Sequence, residues 1–210
     1  MSDRLERDLV TWHIPKMEHH NSAKGRINFF DYEQEERIYN MMSRWHHQDL
    51  ADLFILFIET GMRTAEGRLL QWQNVDLEEG IIRIWGDATK TGEARRVPIT
   101  RKCAEVLKRR KAAEPNDSRV FPRASASRLR SVWERVRAAE DNYDKDFVWY
   151  TTRHTCASRL MRAGVDVKTI QMWLGHARIE TTMRYVQFSK GSLVTASTAL
   201  DDVRARYDRP

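Results

Sequence analysis

Residues 81–113, IIRIWGDATKTGEARRVPITRKCAEVLKRRKAA, change their hydrophobic period partway along and so decide the fold class. Ile81–Trp85 and Ala94–Ile99 are β-like runs, and GDATKTGE between them is rich in turn residues. The pair reads as a hairpin of antiparallel strands. Beyond Thr100 the pattern turns helical, through RKCAEVLKRRKAA. Strand pairing in the middle of a chain that is otherwise helical on both sides predicts a mainly helical α+β domain with a small antiparallel β-sheet.

Upstream, Asp31 is placed to cap a helix whose Ile38, Met42 and Trp45 follow i, i+4, i+7 spacing. Asp49 is placed to cap the next, LADLFILFIET, which is apolar nearly all round and therefore expected to be buried, with Gly61 ending it. A short helix through Leu69, Leu70 and Trp72 is expected, then a turn at NVDLEEG. Downstream, Leu129, Val132, Trp133 and Val136 mark another helix, followed by the polar loop DNYDKD. TTRHTCASRLMRAG reads as a helix closed by Gly164, and DVKTIQMWLG as one capped by Asp166 and closed by Gly175. IETTMRYV begins a short third helix. The expected organisation is a polar arm, linker or expression remnant over 1–29, a domain over 30–188, and a tail or helix over 189–210.

The chain has 210 residues, with 36 Lys and Arg against 30 Asp and Glu, a net charge of +6. That surplus suits a polyanionic partner, most simply nucleic acid, although a solvated basic face is the plain alternative. Cys103 and Cys156 are far apart with no C-x-x-C pattern, which fits reduced thiols in a cytosol better than a disulfide framework or zinc site. The longest apolar run, Leu50–Ile58, is broken by Asp52 and is too short to span a bilayer, and no signal-peptide pattern opens the chain, so no membrane is expected. Neither a Walker-type loop nor G-x-G-x-x-G is present, and no carboxylate cluster suits paired Mg²⁺ ions. His19–His20 and His46–His47 lack the i, i+4 spacing of a metal site. No metal or cofactor is called for.

What remains is a set of groups at element boundaries. Arg63 follows a helix end, Lys90 sits at the hairpin tip, and His176 follows a helix stop with Tyr185 a short helix later. Arg153 falls in the first turn of a helix, where free N–H groups favour an anion. Guanidiniums bind phosphodiesters bidentately, a lysine can protonate a leaving oxygen, and a tyrosine hydroxyl can be a covalent nucleophile. Singly, each has an ordinary reading as a solvated or packed side chain; the order and spacing carry the signal.

In that order and spacing the sequence resembles the tyrosine recombinases, or phage-type integrases. TGMRTAEGRLLQW (Thr60–Trp72) is similar to the family's first arginine box, TKTGEARRVPI to its lysine hairpin, RHTCAS (Arg153–Ser158) to its second arginine box, and LGHARIETTMRY (Leu174–Tyr185) to its histidine–tyrosine box. The resemblance covers roughly residues 31–188. It implies that Arg63 and Arg153 clamp the scissile phosphate, Lys90 protonates the departing 5′ oxygen, His176 donates to a non-bridging oxygen and Tyr185 attacks phosphorus to give a 3′-phosphotyrosine. Glu66 would hold a cationic neighbour in place. One position departs from the family: where it has a histidine three residues before the second arginine, this chain has Tyr150. A phenol hydrogen-bonds a phosphate oxygen but, with an ordinary pKa of about 10, is a poor proton acceptor. His154 is expected on a different helix face from Arg153, in a structural role.

The resemblance further implies a site-specific DNA recombinase independent of metal and ATP, acting on double-stranded attachment sites as a tetramer of protomers with DNA-bending accessory proteins, at the nucleoid of a bacterial cytoplasm. The polar stretch before the first box is too short for the family's N-terminal DNA-gripping domain, so the chain is expected to be the catalytic part of a longer integrase. Its DNA affinity should be weak and steeply salt-dependent. Two alternatives stand beside this reading. A type IB topoisomerase shares the chemistry but relaxes supercoils. A non-catalytic helix-turn-helix regulator would account for DVKTIQMWLGHARIETTMRYV but leave the Arg63 and Lys90 boxes unexplained.

Overall fold

A computed structural model describes residues 27–85, 94–140, 146–189 and 193–207. In chain order these form α1 (Tyr32–Arg44), α2 (Gln48–Thr60), α3 (Thr64–Arg68), β1 (Val75–Asp76), β2 (Ile81–Ile84), β3 (Arg95–Pro98), α4 (Arg101–Ala113), α5 (Ala126–Ala139), α6 (Thr151–Arg162), α7 (Val167–Leu174), α8 (Ile179–Met183) and α9 (Leu193–Tyr207). The mainly helical α+β architecture with a small antiparallel sheet is the one the sequence predicts.

The centre of the molecule is α2. Its run from Leu50 to Ile58 is buried on every side, against α1, α4 and α6. Around it Phe30, Phe54, Trp133 and Trp149 stack edge-on or tilted, with centroids 5.2–6.2 Å apart. The two indoles satisfy their N–H groups inside this cluster, Trp133 donating to the Phe147 carbonyl at 2.7 Å and Trp149 to the Leu129 carbonyl at 2.8 Å. Buried carboxylates are paired with cations from other elements: Asp52 with Arg109, Asp49 with Arg128, and Glu35 with both Lys102 and Arg159. The Glu35 pairs tie α1 to α4 and α6 at once.

Three local readings are corrected. Asp49 does not cap α2; His47 stands at the cap without a side-chain bond, and Asp49 instead meets Arg128 from α5. The short helix after Gly61 comes earlier than expected, at α3, and a 3₁₀ turn follows at Trp72–Asn74. Part of NVDLEEG is strand: Val75 and Asp76 pair antiparallel with Ile82 and Ile81, giving a sheet ordered β1-β2-β3. Two residues carry no visible period, and only the partner strand defines them as β. Asp31 and Asp166 do cap their helices, accepting from the Gln34 and Thr169 amides. Gly61 and Gly175 end theirs in left-handed conformation, at φ 63° and 67°.

A second, smaller cluster lies between α6 and α7, where Cys156, Ala157, Met161, Ile170 and Leu174 bury Ile27 and Tyr185. Both cysteines are free and buried, and burial pushes each thiol up to about 12. Among the described residues no helix is long and apolar enough to cross a membrane.

Candidate active site

The two glycine-capped helix ends set the site. At Gly61 and Gly175 the chain turns sharply, exposing carbonyls that α2 and α7 cannot use themselves. Arg153, fully buried on α6, reaches both ends: its Nη1 donates to Gly61 O at 2.5 Å and its Nη2 to Leu174 O at 2.7 Å. Burial lowers the pKa of this guanidinium, but an arginine stays charged at any working pH. The helix dipoles of α2 and α7 present their negative ends to it. Its Nε is buried and has no hydrogen-bond partner.

The amides of Thr151, Thr152 and Arg153 bond to Val148, Trp149 and Tyr150 carbonyls, so the first turn of α6 does not offer free N–H groups as expected. Arg153 acts through its side chain. Arg63 joins it at the same corner, donating from Nη2 to Gly175 O at 3.2 Å.

Glu66 organises the arginines. Its carboxylate accepts from Arg63 N and Arg95 Nη2, both at 2.7 Å, and from Arg63 Nη1 at 2.8 Å and Arg95 Nη1 at 2.9 Å. Burial alone would raise the Glu66 carboxyl, but the Arg95 and Arg63 hydrogen bonds and charges outweigh it and hold the group below the usual carboxylate range. Arg95 is a residue the sequence reading missed. It also donates from Nε to Trp173 O at 3.2 Å, so β3 is tied to α3 and α7 together. A signal was available: on a strand Arg95 shares the face of buried Val97, and a cation on a core face needs a partner.

His176, one residue past Gly175, is buried with its Nδ1 2.8 Å from Thr182 Oγ1. Burial, then Arg153 and Arg63, lower its pKa to about 4, so the ring is neutral near pH 7. With the Thr182 hydroxyl donating to Nδ1, the ring proton is assigned to Nε2, which is buried and lacks a partner. Tyr185 follows α8 and is 2% exposed. Burial, reinforced by Tyr150, raises its phenol to about 12. Its hydroxyl lies 2.7 Å from Nδ1 of His154. His154, expected to be structural, stands one helical turn after Tyr150, whose ring packs edge-on against it at 5.0 Å, and it touches the candidate nucleophile. Lys90 lies outside the described residues. No group of three or more His, Cys, Asp or Glu suited to a metal ion is found among the described residues.

Residues 28–191 match the phage integrase family. The chain belongs to that family. This phage integrase chain is 32% identical over 147 residues to the tyrosine recombinase XerC of Pseudomonas fluorescens, covering 67% of this chain and 48% of the relative. To XerC of Pseudomonas putida it is 33% identical over 137 residues, 62% of this chain and 45% of the relative. It spans about half the length of these relatives. Among solved structures it resembles the catalytic domain of bacteriophage HP1 integrase, with a TM-score of 0.66 and 26% identity, covering 82% of this chain and 94% of that one. The Tn1549 transposon integrase in complex with transposon right end DNA shares the fold at a TM-score of 0.68 and 18% identity, over 86% of this chain and 67% of that one.

Proposed function

We propose that this integrase-family chain cleaves and rejoins DNA strands at specific sites through a covalent 3′-phosphotyrosine, as the catalytic part of a longer recombinase. The observation that carries the reading is the pair of buried, unpartnered nitrogens, Arg153 Nε and His176 Nε2, on residues anchored at one corner with Arg63. Unpaired buried polar groups are costly, and a phosphodiester supplies acceptors for both. Arg63 and Arg95 share the single carboxylate of Glu66, and Arg153 is held by carbonyls alone, leaving net positive charge for an anion.

In this reading Arg63 and Arg153 bind the non-bridging oxygens and offset the charge that grows on the pentacoordinate transition state, and His176 donates from Nε2. Tyr185 attacks phosphorus. Lys90 protonates the departing 5′ oxygen. Glu66 keeps Arg63 in place. Exchange of one phosphodiester for another retains the bond energy, so no nucleotide hydrolysis is required to reseal the strand. A groove of about 710 Å³ adjoins Arg63 and Tyr150; its floor is apolar, through Leu129, Trp133 and Trp149, and Arg68, Arg130 and Arg137 outnumber Glu134 along it, which suits flanking backbone. Strand exchange further requires several protomers on two DNA sites, with the 189–210 segment as a candidate docking element.

The test is capture under denaturing conditions from a pool of nicked duplexes randomised in sequence. The wild-type chain is expected to give a covalent adduct and Tyr185→Phe none. An adduct in Tyr185→Phe, or none with the wild-type chain, overturns the reading.

A further inference from the structure

An attacking phenol must lose its proton, and the position where the family supplies a histidine holds Tyr150 instead. The structure places another base one turn along the same face of α6. We propose that His154 is the proton acceptor for Tyr185, an inference that rests on the strand-cleavage reading above.

The geometry supports the assignment at each point. His154 Nδ1 and Tyr185 Oη are 2.7 Å apart, within the range for proton transfer. The imidazole is held from both sides, Tyr150 packing on it edge-on at 5.0 Å and the Tyr185 ring lying tilted at 5.8 Å. Tyr185 is also fixed in the cluster between α6 and α7, so the pair has little freedom to separate. The groups around the ring are Arg153 from its own helix, Tyr150 at that helix's N-cap, and Arg184, Tyr185 and His176 from the segment after α7. Burial, then Arg184 and Arg153, bring His154 to about 4, so it is neutral near pH 7 and has a lone pair available. Tyr185, raised to about 12, is by contrast a phenol and not a phenolate. A phosphate arriving at Arg153 places negative charge beside the ring, which offsets those cations and increases its basicity.

The step balances as follows. Tyr185 oxygen forms its bond to phosphorus while its proton passes to His154 Nδ1. The bond from phosphorus to the 5′ oxygen breaks, and that oxygen takes a proton from Lys90. On rejoining, the 5′ hydroxyl attacks phosphorus and returns its proton to Lys90, the phosphotyrosyl bond breaks, and Tyr185 recovers its proton from the His154 imidazolium.

His154→Asn separates proton acceptance from positioning, because the asparagine oxygen stands near the place of Nδ1 and accepts a hydrogen bond without taking the proton. Single-turnover adduct formation is followed on a captured nicked duplex and on the same duplex with sulfur bridging phosphorus to the 5′ carbon. Thiolate leaves without protonation, so the sulfur duplex removes the need for a general acid. Expected for His154→Asn is a fall of about 10²–10⁴-fold on both duplexes, with a rate that rises with pH as the phenol ionises. Lys90→Ala should lose activity on the oxygen duplex and regain it on the sulfur one. A His154→Asn rate close to wild type, or a loss restored by sulfur, or a loss with no pH dependence, overturns the proposal. Nitrogen-15 spectra of the wild-type imidazole give a check free of any variant: Nδ1 is expected unprotonated, and a proton on Nδ1 overturns the assignment. Absence of any wild-type adduct, or an adduct in Tyr185→Phe, instead defeats the strand-cleavage reading on which this rests.

Discussion

Replacing Glu66 with glutamine keeps the shape of the arginine anchor and removes its charge. In the structure the Glu66 side chain is 8% exposed, Arg95 12% and Arg63 43%. The Arg95 contact is thus a nearly buried pair, for which loss of one partner costs about 3–5 kcal/mol, whereas the half-exposed Arg63 contact adds at most about 1 kcal/mol. Glutamine retains some hydrogen bonding, so the lower figure applies: about 3 kcal/mol, or a fall in Tm of roughly 6–12 °C for a chain of this size. The carboxyl is depressed in the folded state, so its stabilisation is complete above its unfolded pKa of about 4.3 and disappears as pH falls through the folded value. The gap in Tm between wild type and Glu66→Gln should therefore close at low pH. DNA affinity should behave differently, because removing an anion beside three arginines does not weaken attraction to phosphate. Calorimetric scans at several pH values, with anisotropy of labelled duplex DNA at fixed salt and the adduct rate, give the comparison. A Tm gap below 2 °C at neutral pH, or DNA affinity falling in proportion to the adduct rate, would refute the reasoning.

Gly175→Ala should destabilise more than Gly80→Ala, since both glycines have φ +67° but only the former would bring a Cβ within 2.9 Å of Arg95 Cδ. Left-handed strain alone costs about 1–2 kcal/mol, and denaturant midpoints that shift equally for the two variants would refute the clash. His154 and His176, both brought to about 4, contribute stability that is present above their unfolded value near 6.5 and lost as pH falls toward 4. Urea titrations should show unfolding free energy declining from pH 7 to 5 by up to about 1.4 kcal/mol per unit for each ring, less where solvent screens it, and a flat profile refutes this. Tyr150→Phe keeps the ring that packs on His154 and should lower the adduct rate only modestly; a loss of about 10³-fold would make the hydroxyl essential.

Helix caps and apolar periods are local, and Asp31, Asp166, Gly61 and Gly175 therefore announced their elements directly in the sequence. So did α2, whose apolar run on all sides admits no exposed face. What escaped reading depends on partners distant along the chain. Asp49 looks like a cap until Arg128 arrives from α5, and Val75–Asp76 become a strand only beside β2. At the candidate site, Arg63, Glu66, Arg153, His176 and Tyr185 were marked by motif order, while Arg95 was passed over and His154 was read as structural. Arg95 belongs to the sheet and is drawn in by a carboxylate from α3; His154 gains its meaning from a tyrosine on another segment. Neither pairing has a fixed spacing that a single sequence displays.

The grip on Arg153 has one more consequence. Its guanidinium is held by carbonyls at the ends of α2 and α7, elements separated by most of the described chain. A half-folded chain in which α7 has not docked leaves that charge buried with one anchor missing, and also leaves His176 and Tyr185 away from the corner. Completion of the fold and completion of the proposed phosphate clamp therefore coincide, because Arg153 has both its anchors only once α7 has docked.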